Sequence, residues 1–82
     1  MASYQILYWQ EIPSQVKAFD DFDEVKVELS QRFANRIDQA AHSRGLTKAD
    51  DYLSQWRWSD EATREGSPEE VATAIRDELE KQ

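Results

Sequence analysis

Few residues in this chain could do chemistry, and their spacing assembles no reactive centre. The chain has one histidine, His42, and no cysteine. Thiolate zinc sites, a thiol nucleophile and a disulfide framework are therefore excluded. A metal at His42 would need further ligands one helical turn away. Asp38 stands on one side and Leu46 on the other, so the set is incomplete. The acidic run Asp20-Asp21-Phe22-Asp23-Glu24 raises calcium as an alternative. A calcium loop needs glycine at its sixth position and glutamate at its twelfth. Counted from Asp21, those positions hold Lys26 and Arg32. Gly45 and Gly66 are isolated, so no glycine-rich loop cradles a phosphate. Ser30, Thr47 and Ser67 stand where hydroxyls cap helices, and no nucleophile has a visible base. The expectation is a protein that is not an enzyme and carries no cofactor or metal.

The elements that position these residues follow from periodicity. Tyr4 to Trp9 reads as a strand, with Tyr4, Ile6 and Tyr8 on one face and Gln5, Leu7 and Trp9 on the other. Gln10 to Pro13 is the turn, because proline cannot donate to a ladder. Ser14 to Phe19 resumes a strand, the acidic run turns the chain, and Glu24 to Leu29 alternates strictly. Ser30 caps a helix along which Phe33, Ile37, Ala40, Ala41 and Arg44 share one face, with Ala34 beside them, and Gly45 ends it. Thr47 caps a short second helix, and Gln55 to Ser59 is a fourth strand with Trp56 and Trp58 turned inward and Arg57 outward. Ser59 to Gly66 reads as loop. Ser67-Pro68-Glu69-Glu70 starts a helix whose stripe is Val71, Ile75 and Leu79. The order β-β-β-α-α-β-α predicts one α+β domain over residues 1–82. Its form is a two-layer sandwich, a mainly antiparallel sheet of about four strands with two to three helices on one face.

Helices on one side leave the other sheet face open. By this reading that face carries Leu7, Trp9, Lys17, Phe19, Lys26 and Arg57. Aromatic and arginine side chains are the usual anchors of protein interfaces, and an apolar patch rimmed by charge marks an interaction site. Trp9, Phe19, Lys17, Lys26 and Arg57 are the candidate partner-binding residues. The competing structural reading is that Arg57 stacks on Trp9, or that the loop after Ser59 covers the face.

Composition narrows the partner. The net charge is −7, with 39% apolar and 11% aromatic residues. An acidic body repels phosphate backbones and anionic membranes. Nucleic acid is therefore disfavoured, although single-stranded binding by stacking on the open face is one alternative, and a small-ligand or cofactor accessory role is another. No stretch approaches the ~20 apolar residues of a membrane span. The absence of disulfides and of a signal-like N-terminus predicts a cytoplasmic location. The expectation is a protein partner of unknown identity, with self-association as a special case.

Several segments together carry a family resemblance. They are Leu7 to Val16, Leu29-Ser30-Gln31-Arg32-Phe33, Ile37-Asp38-Gln39-Ala40-Ala41 and Tyr52 to Trp58. On these, over about positions 4 to 80, the chain resembles the small bacterial "virulence factor" domains, some of which are attached to helical repeats. The resemblance implies a module of protein assemblies. It carries over no catalytic residue, cofactor or substrate.

Overall fold

A computed structural model describes residues 1–81. The chain runs β1 (Ala2–Trp9), β2 (Ile12–Phe19), β3 (Glu24–Glu28), α1 (Gln31–Ser43), α2 (Ala49–Leu53), β4 (Trp56–Trp58), β5 (Ala62–Arg64) and α3 (Pro68–Glu80). This is the expected α+β class with the expected meander. The sheet order is β3-β2-β1-β4, with β5 also on β1. Every pairing is antiparallel.

The sheet has five strands because the segment after Ser59 is not wholly loop. β4 and β5 lie end to end along the same edge of β1. Three steps from Leu7 to Tyr4 match four steps from Trp58 to Ala62, so one extra residue is accommodated between them, as in a bulge. Ser59 bridges the irregularity. Its N–H donates to the Ile6 carbonyl at 2.8 Å, and its hydroxyl accepts from the Ile6 N–H at 2.9 Å. β5 has three exposed residues, so no apolar alternation announces it.

The first turn is tighter than the sequence suggests. Trp9 pairs with Ile12, leaving only Gln10 and Glu11 as the connection. Pro13 lies inside β2, buried and opposite Tyr8. It is tolerated because the register shifts at that point, and such irregularities spare the ladder bond that proline cannot make. Gln10 has φ 54°, unusual for a residue with a Cβ. Its N–H donates to the Gln55 carbonyl at 3.1 Å and its side-chain amide to Gln55 Oε1 at 3.0 Å.

Two apolar clusters meet at Leu29. In the first, Val71, Ala72, Ile75 and Leu79 of α3 pack on Ala2, Val16 and Ala18, with Tyr4, Ile6, Val25 and Val27 around them. In the second, Phe33, Ile37 and Ala41 of α1 close on Trp9 and Ile12, with Tyr52 and Trp56 beside them. The expected helical layer over the Tyr4 and Ile6 face is therefore supplied by α3 alone. α1 and α2 pack around the hairpin end instead.

The helix ends follow their local chemistry. At α3, Glu70 N–H donates to Ser67 Oγ and Ser67 N–H donates to Glu70 Oε1, both at 3.2 Å, completing the capping box. α1 ends on Gly45 at φ 71°. Leu46 N–H then reaches the Ala41 carbonyl at 2.8 Å and Gly45 N–H the His42 carbonyl at 3.3 Å, a Schellman arrangement. Two expected caps differ. The Ser30 hydroxyl donates to Glu80 Oε1 at 2.8 Å instead of capping its own helix. α2 takes Lys48, not Thr47, as its cap residue.

Candidate functional site

Strand register decides which expected residues come together. Lys17 of β2 stands between Gln5 on β1 and Lys26 on β3. Phe19 stands between Ser3 and Glu24, and Leu7 between Gln15 and Trp58. Directly opposed residues share a face. Leu7, Lys17, Phe19, Lys26 and Trp58 therefore lie on the face turned away from Tyr4, Ile6 and α3. Lys17, Phe19 and Leu7 are half-buried and Lys26 is exposed. Trp58 keeps 38% of its surface in solvent, so a large ring is open at the sheet edge.

Charged side chains of both signs share this face. The Lys17 ammonium lies 4.5 Å from the Trp58 ring centroid and 5.7 Å from that of Phe19, an arrangement worth ~0.5–1 kcal/mol at an exposed site. Lys17 and Lys26 are directly opposed, and like charges in such a pair repel. Among the described residues neither lysine has a carboxylate at ion-pair distance. The ion pairs join Arg32 to Glu80, Arg44 to Glu11, Arg64 to Glu78 and Arg76 to Asp77. Glu24 and Glu28 flank Lys26 along β3, and alternation puts them on the same face.

Two expected site residues are not there. Trp9 is fully buried, with its indole N–H donating to the Tyr52 carbonyl at 2.9 Å. Its ring sits 5.6 Å from that of Tyr52. It shares the side of Leu7 by alternation, but α1 and α2 close over that end, so Trp9 is core. Arg57 pairs with Tyr8 and holds its guanidinium 5.6 Å from the Tyr8 ring centroid, away from Lys17. The faces of β4 are therefore the reverse of those expected, with Trp56 and Trp58 on the side of Trp9 and Leu7. Trp58 is the site residue that sequence reasoning placed inside. Its signal is the odd-residue alternation shared by Leu7 and Trp9, read once β4 is paired to β1.

Elsewhere the surface offers less. A shallow groove of about 310 Å³ is lined by Asp23, Glu24, Val25, Ser67, Pro68 and Glu69, but the capping box already engages the start of α3. Among the described residues no cluster of three His, Asp or Glu side chains could hold a metal ion. None of the helices described is long and apolar enough to cross a membrane. The perturbed carboxyls serve the fold. The Arg44 guanidinium holds the Glu11 carboxyl below its ordinary value, and the Asp23 and Phe22 amides do the same for Asp20.

The chain belongs to the virulence factor family, whose family model matches residues 7–82. No curated protein matches the chain, and no solved structure does.

Proposed function

We propose that this virulence factor domain is a non-catalytic, cytoplasmic protein-interaction module that docks its partner on the face carrying Leu7, Lys17, Phe19, Lys26 and Trp58. The observation that supports this most is the open Trp58 ring beside an opposed lysine pair that forms no ion pair among the described residues. Exposed aromatic surface rimmed by charge has the composition of an interface core. The alternative of single-stranded nucleic acid draws on the same lysines and rings. It is disfavoured by Glu24 and Glu28 beside Lys26 and by the net charge of −7.

The test is affinity capture by wild type beside a Lys17→Glu, Trp58→Ala double variant, with Asp50→Lys on α2 as a control. All are first checked for folding by circular dichroism. The reading expects a protein retained by wild type and the control and lost by the double variant. Equal retention by all three would place the interface elsewhere.

A further inference from the structure

Phe22 is 91% exposed, more than any other large apolar side chain among the described residues. It sits at the turn between β2 and β3, where a side chain of that size gains nothing by facing water. The turn is pre-formed. Asp20 Oδ1 accepts the N–H groups of Phe22 and Asp23, both at 2.8 Å, and Asp20 N–H donates to the Asp23 carbonyl at 2.9 Å. Asp21 and Asp23, the neighbours of Phe22 in the turn, are exposed as well. The molecule thus carries an exposed aromatic ring flanked in sequence by two exposed carboxylates, and elsewhere an aromatic patch with two ammonium groups that form no ion pair among the described residues.

We infer that the two surfaces are complementary and that the occupant of the docking face is a second copy of this chain. The Phe22 ring lies against Trp58 and Phe19, and the Asp21 and Asp23 carboxylates meet Lys17 and Lys26. This rests on the docking face proposed above. Docking relieves the Lys17–Lys26 repulsion and shields the two exposed rings at once. The turn follows the Phe19–Glu24 pair that closes β2 on β3, so the donor ring stands next to the Phe19 end of the acceptor face. A two-fold arrangement can then use both contacts reciprocally, the commonest closed symmetry of oligomers. The contact is small, so the dimer is weak and reversible.

Sedimentation velocity on the full chain tests this from about 10 μM to about 1 mM, a range that populates weak contacts. Wild type is expected to move from monomer toward dimer, less so in high salt. Phe22→Ser and Lys17→Glu should each weaken association ~10-fold, as loss of an interface anchor does. Phe22→Ser leaves the fold intact because the ring touches little. An equimolar mixture of the two variants should associate more tightly than the average of the two alone, because both lesions then fall on one contact and leave the other whole. A wild type that stays monomeric throughout overturns the second-copy inference alone, since an acidic segment of another protein could still fill the face. Association indifferent to both substitutions also overturns this contact, because the copies then meet elsewhere, while the docking face itself is judged by capture with the Lys17→Glu, Trp58→Ala variant.

Discussion

Trp9→Phe probes the second core at its centre. The substitution removes the indole N–H that donates to the Tyr52 carbonyl at 2.9 Å and leaves that carbonyl only the Gln55 N–H at 3.3 Å, a lost bond worth ~0.5–1.5 kcal/mol. The smaller ring also leaves space among Ile12, Phe33, Ile37 and Ala41, all buried, and each such void adds to the loss. We expect a total of about 2–3 kcal/mol, against ~4–12 kcal/mol for a domain of this size. In a chain this short each kcal/mol lowers Tm by about 4–8 °C, so the shift is roughly 10–20 °C. Trp58→Phe is the matched control, since Trp58 keeps 38% of its surface in solvent, and it should cost less than ~1 kcal/mol. Urea and thermal unfolding followed by circular dichroism read both. A Trp9→Phe midpoint equal to wild type, with unchanged m, would refute the burial argument. So would a Trp58→Phe loss as large as that of Trp9→Phe.

Three further outcomes follow from the fold. Ser59→Ala deprives the Ile6 N–H of its acceptor at 2.9 Å and should cost ~1–3 kcal/mol, read by urea denaturation; an unchanged midpoint would mean that water replaces the hydroxyl. Gly45→Ala meets no atom within 4 Å but must hold φ 71°, so calorimetry should show a purely conformational loss of about 1 kcal/mol. The carboxyls of Glu11, Asp20, Glu70 and Glu80 are held below their ordinary values by Arg44, by backbone amides, by Ser67 and by Ser30 respectively. A depressed carboxyl contributes stability above its unfolded value and loses it as pH falls through its folded value. Tm should therefore hold from pH 7 down to about 5 and decline below about pH 4; a flat Tm down to about pH 2 would contradict these pairings.

Local signals carried the elements, and pairing carried the faces. The strict alternation of Glu24 to Glu28 and the Ser67-Pro68-Glu69-Glu70 start are strong short-range patterns, and both appear where expected. Lys17, Phe19 and Lys26 keep their expected face because β2 and β3 pair without a shift between Gln15 and Phe19. Trp9 was legible as a strand residue but not as core, because the helices that bury it come from more than twenty residues downstream. The faces of β4 were not legible at all. Trp56-Arg57-Trp58 alternates equally well either way, and only its register on Leu7, Tyr8 and Trp9 settles which side is open. β5 escaped because its pairing rests on backbone bonds along β1 and on Ser59, with no apolar side chain to mark it.

The central claim is that the open face around Trp58 is where this domain meets another protein. A photoreactive residue placed at Trp58, and separately at Asp50 on α2 as a control, tests it in whole cells. The account predicts protein adducts from position 58, whether a second copy or another chain, and few from position 50. Adducts from position 50 alone, adducts to nucleic acid at position 58, or no adduct at position 58 would contradict it.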